Sequence, residues 1–146
     1  MFENSTLTVS SLSVGGVCEM FNLNNFTDNK IESTRSIFSE ANLIKIRFEL
    51  EIDWLIFLCS KLPSNFPTLS NASLKKILKF KKDFNSKSVI AIKKIELKTN
   101  HDVKAVEYYI RDYFSKDKTL SKYVHLIHFG LTSEDLNSLS YAIIVK

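Results

Sequence analysis

Between Ala41 and Leu62 the chain carries two periodicities at once. Ile44, Ile46, Phe48, Leu50, Ile52 and Trp54 alternate with Lys45, Arg47, Glu49, Glu51 and Asp53, which is the period-two pattern of a half-buried strand. Yet the stretch holds no Gly or Pro before Pro63, outruns the usual strand of about 3 to 10 residues, and is rich in good helix formers. As a helix it is apolar nearly all round, which requires several neighbours to bury it. From the pattern alone both readings stand.

The other elements are plainer. Asp28-Asn29 offers an N-cap to a short helix over Lys30 to Phe38, and Ser39 can cap the long segment after it. Pro63 to Pro67 interrupts the chain. Asn71 or Ser73 can then cap a helix through Phe84, with Leu74, Ile77, Leu78 and Phe84 at helical spacing. Val89 to Ile95 is short and β-branched and fits a strand or a helical turn. Asn100 precedes a helix to about Ser115, where Val103, Val106, Ile110 and Tyr113 share a face and Lys104 and Arg111 flank Glu107 on the outer side. Tyr123 to Phe129 reads as a short helical piece. After Gly130, Thr132 stands as an N-cap with Asp135 at N3, a capping-box start for a helix through Leu136, Leu139 and Ile143. Residues 1–29 are crowded with Ser, Thr and Asn and broken by Gly15-Gly16, and read as an irregular arm.

Composition changes this picture in one direction. The chain has 146 residues, 45% hydrophobic and 25% charged, enough for one domain with a core. Three glycines and two prolines are too few for a turn-dense β-sandwich or barrel, so the expected class is all-α. Cys18 and Cys59 do not make a disulfide framework or a metal-ligand pattern, and point to a reducing, intracellular setting with both thiols buried. The longest apolar run, Trp54 to Cys59, is far short of the ~20 residues of a membrane span. The N-terminus lacks the basic start and apolar core of a signal peptide, so the expected location is cytoplasmic.

The net charge of +4 comes mostly from Lys75 to Lys98, where nine lysines stand without arginine. A nucleic-acid or acidic partner could use that stretch, making the protein a noncatalytic helical module. A solvated helix face is the favoured reading, since lysine alone lacks the bidentate contacts that arginine makes to phosphate and guanine. Phe80 and Phe84, four apart in a helical pattern, suit a core better than base stacking.

There is no Gly-rich phosphate loop, no HExxH and no nucleophile elbow. Thr99-Asn100-His101-Asp102 and Thr132-Ser133 remain, each at a helix start, where free N–H groups favour an anion. Locally, both can be mere caps. His125 and His128 lie on an apolar stretch with no third metal ligand in view, and read as packed, hydrogen-bonded histidines.

The residues in order suggest more. Lys98-Thr99-Asn100-His101-Asp102-Val103-Lys104-Ala105-Val106-Glu107-Tyr108, followed about twenty residues later by Ile127-His128-Phe129-Gly130-Leu131-Thr132-Ser133-Glu134-Asp135-Leu136-Asn137, resembles the adenylosuccinate lyases of the fumarase/aspartase superfamily. Ile37-Phe38-Ser39-Glu40 leading into Leu43 to Leu55 agrees with the first long helices of that family. The resemblance implies a helical N-terminal domain over 30–130 and, over 131–146, the first helix of a central helical bundle. It favours helix for Ala41 to Leu62. It implies β-elimination of fumarate from adenylosuccinate and from the succinyl-carboxamide ribotide of purine synthesis. It also implies a homotetramer with shared sites, and neither metal nor organic cofactor. Under it Asn100, His101 and Asp102 hold the nucleotide and succinyl group, with His101 catalytic, and Thr132 and Ser133 bind a substrate carboxylate. Two features depart from the family. Its Ser-Pro-Leu-Asp-Gly-Arg-Tyr segment, whose Arg-Tyr pair contacts phosphate, is matched here only by Ser10-Ser11-Leu12-Ser13-Val14-Gly15-Gly16-Val17. Its base serine and acid histidine have no match in these residues, so the chain is expected to be an inactive fragment that needs a complementing chain.

Overall fold

The computed structural model describes residues 34–63 and 66–146. The predicted arm, Cys18 and most of the Lys30 to Phe38 helix lie outside the described residues; of that helix, 34–37 are helical. Every regular element among the described residues is helical: α1 Glu40–Lys61, α2 Asn71–Lys82, α3 Ser86–Thr99, α4 Asp102–Ser115, a 3₁₀ segment Ser121–Leu126, and α5 Ser133–Ile144.

The ambiguous stretch is one 22-residue helix, α1. Ser39 caps it, its Oγ accepting from the Asn42 N–H at 3.1 Å. The physical reason it tolerates an alternating pattern is its place in the fold: α2, α3, α4 and α5 all pack on it. Ile44, Phe48, Ile52, Leu55 and Cys59 are buried at steps of four, four, three and four. The intervening side is buried as well, taking Ile46, Arg47 and Glu51 with it. With four helices against it, α1 keeps only a narrow exposed row, Lys45, Asp53, Phe57 and Ser60, so its sequence carries little amphipathic signal.

An aromatic cluster joins α1, α2 and α4. Phe48 meets Phe80 edge-on at 5.1 Å and stacks on Phe84 at 4.5 Å, while Phe80 lies flat on Tyr113 at 3.6 Å. Phe80 and Phe84 thus serve the core, as their spacing indicates. The connection before α2 is anchored by Tyr123, whose buried ring reaches through so that its hydroxyl donates to the Thr68 carbonyl at 2.8 Å.

Two local expectations change and one open reading closes. The cap of α2 is Ser70, which accepts from the Ser73 N–H; Ser73 itself is fully buried. The undecided Val89 to Ile95 lies inside α3, which opens on an Asn85–Ser88 capping box and buries Ile92. A good cap overrides the weak β preference of branched residues. In α4 the buried row is Val103, Val106, Ile110 and Phe114, leaving Tyr113 partly exposed against Phe80. No helix among the described residues is long and apolar enough to cross a membrane.

Candidate functional site

At the α3–α4 junction Asn100 does not cap α4. It ends α3 in the left-handed region (φ 50°), its N–H donating to the Glu96 carbonyl at 2.7 Å. Asparagine tolerates this conformation better than most residues, which is why it can close one helix beside the start of another. The cap of α4 is His101, whose Nδ1 accepts from the Lys104 N–H at 3.2 Å. An accepting Nδ1 places the ring hydrogen of a neutral imidazole on Nε2. The His101 side chain is 47% exposed, so that second nitrogen can be reached by a ligand.

Asp102, the first residue of α4, uses both carboxylate oxygens. One accepts from the Val103 N–H at 2.8 Å and the other pairs with Arg47 Nη1 at 2.8 Å. Partial burial works to raise its pKa, but the Val103 N–H and the Arg47 charge outweigh it and hold the carboxyl below its ordinary range.

Thr132 and Asp135 form the predicted capping box. The Thr132 hydroxyl accepts from the Asp135 N–H at 3.2 Å and donates to Asp135 Oδ2 at 2.7 Å, while the Thr132 N–H donates to the same oxygen at 2.7 Å. These contacts, the hydroxyl's foremost, keep the Asp135 carboxyl below its usual pKa. The single Thr132 hydroxyl hydrogen is therefore committed to Asp135. Ser133 stands beside the box, half-buried, with its hydroxyl outside it.

The approach to Thr132 is held by three side chains. Arg111 Nη2 donates to the Ile127 carbonyl at 3.2 Å, His128 Nδ1 pairs with Glu51 Oε1, and Trp54 Nε1 donates to the Phe129 carbonyl at 2.8 Å. His128 and Gly130 both take positive φ, 62° and 74°. His128 is thus the packed, hydrogen-bonded histidine its setting suggested, and His125 is exposed. Burial pushes the Glu51 carboxyl pKa up; the hydrogen bond and charge of His128 oppose this, and Glu107 adds to it.

Glu107 is the second correction at this site. Lys104 and Arg111 do pair with it, at 2.7 and 2.8 Å, but Glu107 is only 3% exposed. The carboxylate lies inside, while Lys104 and Arg111, 43% and 34% exposed, reach it from the surface. Helical neighbours three and four residues away can reach a carboxylate in an interface and neutralise it there.

Arg47 and Glu51 were given no role from sequence alone. They are charged residues four apart on α1, set away from its exposed row of Lys45, Asp53 and Phe57, and each is buried with a partner. Arg47 spans the two motifs: Nη1 holds Asp102, and Nη2 donates to Asn137 Oδ1 at 2.7 Å. Asn100, His101 and Asp102 lie together, and Asp102 is linked through Arg47 to the helix that Thr132 and Ser133 begin.

Two cavities lie elsewhere. One, about 310 Å³, is apolar and lined by Leu50, Trp54, Phe57, Leu131, Leu136 and Leu139. The other, about 280 Å³, lies among Phe80, Asn85, Lys87, Tyr109 and Tyr113. None of the five predicted site residues lines either one.

No protein-family model matches the chain. It is similar to the adenylosuccinate lyase of Buchnera aphidicola from Acyrthosiphon pisum, 38% identical over 115 residues, which cover 77% of this chain and 25% of that protein. The Haemophilus influenzae adenylosuccinate lyase is 41% identical over 123 residues, and that of Escherichia coli K12 35% over 129, each match covering 81% of this chain and 26% of the relative. By sequence, and with every described element helical, the chain resembles the adenylosuccinate lyases, of whose length it spans about a quarter.

Proposed function

We propose that this chain supplies the nucleotide- and succinyl-binding part of an adenylosuccinate lyase active site. The reaction is β-elimination: adenylosuccinate gives AMP and fumarate, and the succinyl-carboxamide ribotide of purine synthesis is cleaved in the same way. A base removes a proton α to a carboxylate, the resulting dianion requires oriented donors, and an acid protonates the departing nitrogen. Asn100, His101 and Asp102 hold the nucleotide and succinyl group, with His101 presenting Nε2 to the reacting portion. Thr132 and Ser133, at the start of α5, take a carboxylate; Thr132 must turn its hydroxyl from Asp135 to donate.

The observation that supports this best is that each of the two motifs lies at a helix start, with His101 and Asp102 each about half exposed there. None of the 146 residues matches the family's base serine or acid histidine, so turnover requires another segment or chain, within a cytoplasmic homotetramer of the family type. The rival, a lysine-rich nucleic-acid module, is weakened because Lys76, Lys81 and Lys93 already pair with Asp117, Asp53 and Glu40.

The test follows adenylosuccinate absorbance at high protein concentration, before and after adding a chain that carries the bundle and base loop. The expected result is no fumarate release alone and turnover on addition. Turnover by the isolated chain would overturn the division of labour. No rescue, with salt-dependent retention on single-stranded DNA, would replace the lyase reading with its rival.

A further inference from the structure

We infer that Arg47 is a positioning residue, whose guanidinium sets the spacing between the His101–Asp102 helix start and the α5 helix start. The inference rests on the lyase reading for what is being aligned, and on geometry for how. Arg47 lies in the first half of α1, 4% exposed, with its two terminal nitrogens pointing to different elements: Asp102 on α4 at 2.8 Å and Asn137 on α5 at 2.7 Å. Its Nε meets no acceptor among the described residues. The terminal fork therefore carries the tie. Asn137 follows Ser133 by four residues, about one helical turn, so fixing it fixes the first turn of α5.

Arginine suits this place and lysine does not. A planar guanidinium presents donors in a rigid fork to two acceptors at once, whereas an ammonium is a point charge on a flexible stem. The site contains one carboxylate and one neutral carbonyl. A lysine could keep the charge beside Asp102, but it could not hold Asn137 at the same time with the same geometry.

The experiment uses the intact 146-residue chain, Arg47→Lys, Arg47→Met, and Asn137→Ala, which breaks the tie from the less buried end should Arg47→Met fail to fold. Nuclear magnetic resonance follows the Asp102 carboxyl titration, the Asn137 side-chain amide and the backbone amides of 132–137, first without ligand and then with adenylosuccinate. In Arg47→Lys, Asp102 should still titrate below its ordinary range while the Asn137 and 132–137 signals move. Adenylosuccinate affinity should fall tenfold or more in Arg47→Lys and Asn137→Ala alike. Arg47→Lys binding as tightly as the unsubstituted chain would overturn the inference, because charge alone would then suffice. If the unsubstituted chain shows no saturable response to adenylosuccinate, the substrate reading fails on its own. The ligand-free spectra still decide the tie: unmoved 132–137 signals in Arg47→Lys overturn it, and moved ones uphold it.

Discussion

Glu51 is a carboxylate enclosed by helices, and its chemistry is set by that enclosure. Burial raises its pKa above the ordinary 4.5, with His128 opposing. A raised carboxyl pKa means the folded chain holds the proton more tightly than the unfolded one. Glu51 therefore contributes stability below about pH 4.5 that is lost as pH rises through its folded value. Relative to Glu51→Gln, urea midpoints of the unsubstituted chain should decline between pH 4.5 and 7; a relative gain would mean that pairing with His128 outweighs burial. Glu51→Ala should cost about 1 to 3 kcal/mol by leaving the His128 ring nitrogen without its partner. Asp117 has the opposite sign. The hydrogen bond from Lys76, then the Thr119 and Leu120 N–H groups, bring its pKa to about 2. Its contribution is complete above its ordinary 3.8 and disappears as pH falls towards 2. Lys76→Met should raise the carboxyl titration part of the way back, since the two backbone donors remain.

At the scale of elements, α1 and the start of α5 make separate predictions. If α1 is a central helix, Phe48→Ala should cost about 3 to 5 kcal/mol, because Phe48 is fully buried among aromatic rings. Phe57→Ala, on a side chain 49% exposed, should cost under about 1 kcal/mol. Denaturant melts of the two variants compare them directly, and equal losses would contradict the observed face. At α5, Thr132→Ala with Ser133→Ala should lower stability by about 1 kcal/mol, the typical loss of an N-cap. In a completed enzyme the same pair should raise the barrier by roughly 2.7 to 4 kcal/mol, the typical loss of a donor to a developing oxyanion. Turnover falling no further than stability would leave the two residues as caps.

On the scale of the molecule, the side chains of Leu139, Ile143 and Val145 on and beyond α5 are about half to three-quarters exposed, as is Phe57 on α1. Apolar surface of this kind, beside the 310 Å³ apolar cleft, favours association. Sedimentation of the 146-residue chain should show average mass rising with concentration, and Ile143→Asp should suppress the rise. A mass independent of concentration would show that this surface is stable in water as it stands.

The all-α class, the Ser39 and Thr132–Asp135 caps, the helix through Ser115 and the existence of α2, which ends at Lys82 and not at the expected Phe84, were legible in the sequence because each depends on neighbours within four residues along the chain. The two motifs carrying the family likeness were legible for a related reason: their residue order survives without knowledge of what they touch. Contacts between elements decided the rest. Whether Ala41 to Leu62 was strand or helix could not be settled by its own alternation, since burial of most of α1, Arg47 and Glu51 included, leaves only a narrow exposed row in place of the polar face that periodicity needs. Val89 to Ile95 needed the Asn85–Ser88 box. Lys104, Glu107 and Arg111 show the same ion pairs whether they face water or a neighbouring helix, and only the packing of α4 placed Glu107 inside. Arg47 lies 55 residues from Asp102 and 90 from Asn137, so its bridge exists only once three helices have packed. Local order in the chain determined the elements and the motifs; the packing of α1 among its neighbours decided which charges became a site.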